Sequence, residues 1–298
     1  MEDLHLVNGR YRIRERLGAG GVGDTYVAVH AFTHRRVTLK LVRRFDLERS
    51  RGLEGMILRE ATAVAAVDHP HVVEILDAGR EANGDLFLVF EYLVGEDLET
   101  TLSEGRLSIR DLLQVTGSLL EALGAVHRSG YVHRDVKPSN VILARHGVYR
   151  DWVKLIDFGS AVRMDDRGPA GPEAPLSGTL EYMSPEQAQG VQLDGRSDIW
   201  SVGAVLFRAL TGRLPIQEAD PFRHLIQLTE VGAPLIASVC PGLSDSLSAV
   251  VDRALSRLPE DRFSTAPDMA QALALVDLPD EPIARVSSLM INPSWRML

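Results

Sequence analysis

Cysteine is almost missing from this sequence: the single Cys240 cannot close an internal disulfide, and no Cys/His spacing suggests zinc. That usage fits a reducing compartment, and the expected location is the cytoplasm. A basic excess is missing too. The formal net charge of -9 argues against nucleic acid or an anionic membrane as the main partner, although Arg35-Arg36 and Arg43-Arg44 concentrate positive charge locally. No apolar run approaches the ~18 residues of a spanning helix. Met1-Glu2-Asp3-Leu4-His5 has neither the basic start nor the apolar core of a signal peptide. A soluble chain with no membrane segment and no internal repeat is the expectation.

What is present is the composition of a folded protein, 45% hydrophobic and 24% charged over 298 residues, enough for one large domain or two lobes sharing a cleft. Up to about Tyr92 the punctuation is strand-like. Short runs at Tyr11 to Leu17, Thr25 to His30, Val37 to Val42, Val73 to Leu76 and Leu86 to Glu91 are separated by turns, with one helix from about Gly52 to Val67. After Gly95 the period becomes helical. Ser108 to His127 carries apolar residues at three-to-four spacing, and Asp198 to Leu210 is apolar almost all round, as in a buried helix. Arg167 to Pro175 is rich in glycine and proline and reads as a mobile segment. The tail from Pro279 to Leu298 shows no clear period.

The most informative run is His133-Arg134-Asp135, followed by Lys137, Asn140 and then Asp157-Phe158-Gly159 after the apolar stretch Val153 to Ile156. Asp135 can orient and deprotonate a hydroxyl, Lys137 can neutralise charge on a phosphoryl group, and Asn140 and Asp157 are hard oxygen ligands of the kind Mg²⁺ takes. A polar, solvated loop is the plain alternative for His-Arg-Asp alone; Asn140 and Asp-Phe-Gly in register argue against it. Here the chain resembles the catalytic and metal loops of eukaryotic-like protein kinases, and the lysine two places after the aspartate matches the Ser/Thr branch.

Other runs extend this resemblance. Gly18, Gly20, Gly21 and Gly23 form a glycine-rich turn whose N–H groups could cover phosphates. A GxGxxG fits dinucleotide folds equally, but those need a helix next, and strand-like runs flank this one. On a strand, Thr38 and Lys40 share one face while Val37 and Leu39 share the other. Met56, Ile57, Glu60, Ala61 and Val64 form the stripe of the following helix, which places a carboxylate inward, where it needs a cation. In kinases such a lysine and glutamate meet, so the resemblance implies a Lys40–Glu60 pair holding phosphates. Gly178 to Glu186 resembles the end of a bacterial activation segment, with Ser184 where alanine is commoner. Thr179 is then expected near Asp135, Glu186 paired with Arg262, and Asp198 bracing the catalytic-loop backbone.

The resemblance implies an α+β, two-lobed protein-kinase-like fold over residues 11–276. A small, mostly antiparallel β lobe with one key helix (11–92) precedes a larger, mostly α lobe (93–276), with 277–298 an extension or linker. It further implies ATP with Mg²⁺ (Mn²⁺ as alternative), and a protein substrate phosphorylated on Ser or Thr in bacterial signalling. Autophosphorylation would proceed through a homodimer. Leu17, Thr25, Thr38 and Ile142 would enclose the adenine, Phe90 would guard the back of the pocket, the main chain of Glu91 and Leu93 would contact the base, and Asp97 the ribose. Thr25 and Thr38 replace the usual valine and alanine and should weaken nucleotide affinity. Arg208 stands where many kinases carry a glutamate that favours basic peptides, and Ser139 replaces another acid. Arg208 would repel basic substrates unless it pairs internally.

Arg134, beside the base, lacks an obvious carboxylate. A phosphate on Ser177, or less favourably Thr179, would satisfy it together with Arg163, switching activity on. The competing arrangement satisfies the arginines with Asp165, Asp166 or Glu173. Two other functions share parts of this pattern: a pseudokinase acting as nucleotide sensor or scaffold, favoured only by the two threonines, and a small-molecule phosphotransferase, which usually lacks Asp-Phe-Gly and Ser-Pro-Glu.

Overall fold

The computed structural model describes residues 6–19, 23–42, 47–146, 149–166 and 178–277. Gly20, Gly21, the stretch 167–175, Ser177 and the tail from Pro279 lie outside the described residues. The chain begins with β1 (Leu6–Val7), β2 (Tyr11–Ala19), β3 (Asp24–His30), β4 (Arg36–Val42), α1 (Leu47–Ala65), β5 (Ile75–Arg80) and β6 (Leu86–Glu91). The strands form one antiparallel sheet in the order β1-β2-β3-β4-β6-β5.

Alternation decides the two faces of this sheet. Val7, Tyr11, Ala28, Val37, Leu39, Leu41, Phe87 and Val89 pack together on one side. Lys40 lies opposite Thr25 and Leu88, and Thr38 opposite Val27 and Phe90, so these residues share the other face. That face carries α1, whose Ile57, Glu60 and Val64 are buried. The helix begins earlier than the sequence pattern predicts, at Leu47, and ends at Ala65.

One strand is displaced from expectation. Val73 and Glu74 stay outside the strand, while Ile75 and Leu76 begin it; β5 runs from Ile75 to Arg80. Val73 instead donates its N–H to Leu155 O (3.0 Å), and Leu155 N–H donates to His71 O (2.8 Å). Trp152 Nε1 also donates to Pro70 O at 3.2 Å. The apolar valines before β5 thus fasten the small lobe to the larger one, a contact that local period cannot show.

The second half contains β7 (Gly95–Asp97), α2 (Leu98–Ser103), α3 (Ile109–Arg128), β8 (Tyr131–Val132), β9 (Val141–His146), β10 (Tyr149–Leu155) and β11 (Val162–Arg163). These are followed by α4 (Pro185–Ala188), α5 (Arg196–Thr211), α6 (Pro221–Ile226), α7 (Ile236–Val239), α8 (Asp245–Ala254) and α9 (Ala266–Ala274). Ser108 and Asp111 close a capping box at the start of α3, which fixes where the periodic run becomes helix. The whole of α5 except Arg196 and Arg208 is buried, as its all-round apolarity requires. β10-β9-β7 and β11-β8 form two small sheets that carry the loops between them. Of these strands the sequence shows only the apolar run Val153 to Ile156, which falls largely within β10.

Candidate active site

The loop from Val132 to Asn140 is held from below by a carboxylate with no solvent contact. Asp198, on α5, accepts from the backbone N–H groups of His133 and Arg134, both at 2.9 Å. His127 Nε2 completes the set at 2.7 Å from the same carboxylate. Burial pushes the Asp198 carboxyl up, but the His127 contact and these N–H groups outweigh it and hold it below the ordinary range. His127 went unnoticed in the sequence; its place in the last turn of α3, facing α5, was the available signal. Above this brace, the His133 ring sits edge-on to Phe158 with centroids 4.7 Å apart, and its Nε2 lies 3.2 Å from Ile156 O.

Asp135 is 9% exposed and points into a ring of donors. Thr179 N and Oγ1 donate to its Oδ1 at 2.8 and 2.7 Å. Lys137 Nζ lies 2.8 Å from its Oδ2 and also donates to Thr179 Oγ1 at 2.6 Å. Asn140 Nδ2 donates to Asp135 O (2.8 Å) and Oδ2 (3.1 Å), which leaves the amide oxygen of Asn140 as an acceptor. Burial raises the Asp135 carboxyl, yet the bonds from Lys137 and Thr179 prevail, so it sits below the usual carboxylate value. The group is therefore ionised at neutral pH, and its oxygens are aimed by side chains from two separate segments.

Gly178 allows this approach. Its φ is +107°, and a Cβ there would lie 2.6 Å from Arg134 O. Gln187 Nε2 reaches the same carbonyl at 2.9 Å, and Gln187 is itself paired with Ser184 in a capping box at the start of α4. Ser184, the departure from alanine, thus caps a helix that steadies the catalytic loop.

On the sheet side, Lys40 Nζ lies 2.8 Å from both oxygens of Glu60 and 3.7 Å from Asp157 Oδ1. Burial of Glu60 raises its carboxyl more than Lys40 lowers it, so the net shift is upward. Asp157 has φ +62°, an uncommon conformation for a residue with a side chain. Its carboxylate is 46% exposed, open to the cleft. An exposed carboxylate and an amide oxygen are a donor set suited to a hard cation that arrives with phosphate ligands of its own. Lys40, Glu60 and Asp157 thus meet in one cluster, while Asp135, Lys137, Asn140 and Thr179 meet in another.

The expected nucleotide wall is assembled from the same strands. Thr25 and Thr38 are half-buried on the Lys40 face, and neither hydroxyl bonds a described residue. Glu91 N–H is spent on Glu74 O (3.0 Å), and its carboxylate accepts from Glu74 N (2.9 Å) and Lys154 Nζ (2.5 Å). Asp97 caps α2 through Oδ1, 2.7 Å from Thr100 N. Asp97 also stands opposite Ile142 across β7 and β9. β2 and β3 pair as a hairpin around the glycine turn, which removes the strand–helix arrangement of a dinucleotide site. Gly18 and Gly23 flank that turn.

Three further expectations resolve in the larger lobe. Glu186 and Arg262 form a two-point ion pair at 2.7 and 2.8 Å. Arg163 is matched by Asp165 at 2.8 and 2.7 Å, so it does not stand free beside Arg134. Arg208 does not face the groove as an unpaired cation either: it pairs with Glu99 and with the Tyr182 hydroxyl. The arginine's reach across to α2 was invisible to local sequence.

Similarity to known proteins agrees with this geometry. The sequence matches the Protein kinase domain family over residues 11–274. A probable serine/threonine-protein kinase of Streptomyces coelicolor is 36% identical over 278 residues, covering 90% of this chain and 40% of the relative. The serine/threonine-protein kinase pkn3 of Myxococcus xanthus is 36% identical over 276 residues, covering 90% and 50% respectively. For the serine/threonine-protein kinase PknB of Mycobacterium tuberculosis the identity is 35% over 285 residues, covering 94% and 45%. The chain spans half or less of the length of these relatives. By sequence match, fold and site geometry together, this chain belongs to the protein kinase family.

Proposed function

We propose that this chain transfers the γ-phosphate of ATP to serine and threonine hydroxyls of proteins. The observation that carries the reading is Asp135: nearly buried, held ionised, and aimed by Lys137, Thr179 and Asn140 at once. Its carboxylate accepts the proton of the acceptor hydroxyl, and Lys137 balances charge at the phosphoryl group in transit. Lys40, fixed by Glu60, positions the nucleotide phosphates, and the backbone N–H groups of Gly18, Gly20, Gly21 and Gly23 are the groups proposed to contact them. Asn140 and Asp157 would hold Mg²⁺, or Mn²⁺ in its place, and the metal–ATP complex supplies the electrophilic phosphoryl group. Leu17, Thr25, Thr38 and Ile142 enclose the base, the Glu91 carbonyl and Leu93 main chain contact it, and Asp97 Oδ2 takes the ribose.

The natural setting in this reading is bacterial signalling in a reducing cytoplasm, which the single cysteine and the bacterial relatives support. Among the described residues no helix is long and apolar enough to cross a membrane. Phosphorylation of the chain by a second copy would place phosphate beside Arg134. Ser177 is the favoured acceptor, since the Thr179 hydroxyl is already engaged with Asp135 and Lys137.

The test is incubation of purified protein with labelled ATP, Mg²⁺ and a general acceptor protein, followed by phosphoamino-acid analysis. Label in phosphoserine and phosphothreonine is expected. Nucleotide binding without transfer would overturn the reading.

A further inference from the structure

Glu99 on α2, Arg208 on α5 and Tyr182 meet at one point. Arg208 Nη1 and Nη2 donate to the two oxygens of Glu99, and Nη1 also donates to Tyr182 Oη. The Arg208 and Glu99 side chains are 30% and 37% exposed, so the cluster reaches solvent. Its position relates it to the acceptor. Tyr182 N–H donates to Thr179 O at 3.0 Å, and Thr179 is the residue bonded to Asp135. Tyr182 therefore stands one 3₁₀ turn, roughly 6 Å of rise, from the catalytic carboxylate's own partner. Ser201 Oγ fixes that turn by donating to Tyr182 O at 2.8 Å. On the other side, α2 packs on the Pro138–Asn140 turn of the catalytic loop, where Ser139 is exposed. The cluster thus borders the place where a polypeptide offering a hydroxyl to Asp135 must lie.

We infer that Glu99 and Arg208 set acceptor selectivity by cancelling each other, so that this wall takes segments without requiring basic or acidic residues beside the target hydroxyl. The inference rests on the kinase reading and names the substrate class of that site. Each partner masks a charge that would otherwise select: a bare Glu99 would draw basic segments, and a bare Arg208 acidic or phosphorylated ones. A bidentate guanidinium–carboxylate pair is the geometry best suited to such masking, because both carboxylate oxygens are occupied. Glu181, exposed beside Tyr182, stays constant in every variant and contributes equally to each.

The experiment uses three acceptor peptides that differ only in carrying basic, uncharged or acidic flanks. Their kcat/KM ratios are read for the wild type, Arg208→Met, Glu99→Gln and the double variant. Each ratio comes from one preparation, so any loss of folded protein cancels. The wild type should discriminate less than about threefold, Arg208→Met should shift toward the basic peptide by about 3–10-fold, and Glu99→Gln toward the acidic one by a similar factor. The double variant should return near the wild-type ratio. Unchanged ratios in Glu99→Gln, or shifts of the same sign in both single variants, overturn the inference. Glu99 is exposed enough that Glu99→Gln decides the matter by itself should Arg208→Met fail to fold. Peptide binding by fluorescence anisotropy reads the same ratios without transfer, so a chain that binds selectively but transfers nothing would overturn the kinase reading alone.

Discussion

The base of the helical lobe buries one arginine and the catalytic loop half-buries another, and they treat it differently. Arg262 is 1% exposed and uses every nitrogen: Nε donates to Ser256 O, Nη1 to Glu186 and Arg196 O, Nη2 to Glu186 and Arg257 O. Its guanidinium also lies over the Trp200 ring at 5.1 Å. Arg134 has its backbone fixed by Asp198 and Gln187, yet its buried Nε has no hydrogen-bond partner among the described residues. Burial lowers its basicity, countered only in part by Asp198. It also adopts φ +69°, one of the few residues with a side chain in that region. At Arg262 every side-chain nitrogen is satisfied; at Arg134, beside Asp135, no described residue meets the Nε.

Breaking the satisfied arginine should cost most. Arg262→Met leaves Glu186 buried without its cation and should lower unfolding free energy by about 3–5 kcal/mol, read by denaturant titration. The same pair predicts a pH effect. Burial pushes the Glu186 carboxyl up, but Arg262 and Ser197 bring it below the ordinary glutamate value. Its contribution is therefore present above that value and is lost as pH falls through the depressed folded value. Glu186→Gln should flatten the acid limb of stability; an unchanged limb would remove the pair from that role.

In the cleft, Lys40→Met and Glu60→Ala should each reduce transfer by about 10²-fold through misplaced phosphates, with little change in stability beyond the local pair. The double variant should be scarcely worse than either single, because the two act as one unit. Additive losses would contradict the contact. A smaller effect is expected at Thr38, whose hydroxyl bonds no described residue. Thr38→Val should tighten nucleotide binding by about 2–5-fold in a titration; weaker binding would show that the hydroxyl holds the base. The smallest effect sharpens the comparison directly. Arg134→Met should change unfolding free energy by less than about 1 kcal/mol, since no described residue is stranded by it, while abolishing any activation by phosphate in the segment before Gly178.

Much of the site could be read from sequence because its residues are local. Asp135, Lys137 and Asn140 share one loop, and the face of Glu60 follows from helical period. The opposed faces of Thr38 and Lys40 follow from strand alternation. The distant pairs Glu186–Arg262 and Asp198 with the catalytic loop followed only from the family resemblance, and other distant contacts escaped the sequence. Val73 looks like the start of a strand but, with Val72 before it, fastens to Leu155 across the lobes. Arg208 looks like a free cation until α2 brings Glu99 to it. His127 braces Asp198 across 71 positions, a partnership no period encodes. Arg163 was matched by its near neighbour Asp165, the plainer of two readings open from sequence.

The central claim is that Asp135 serves the chemistry while the surrounding bonds serve its placement. Single-turnover transfer of labelled phosphate, with nucleotide binding and thermal stability measured on the same samples, compares wild type with Asp135→Asn. The account predicts transfer reduced by about 10²–10⁴-fold, with nucleotide affinity and unfolding midpoint close to wild type. Comparable transfer by Asp135→Asn would contradict it.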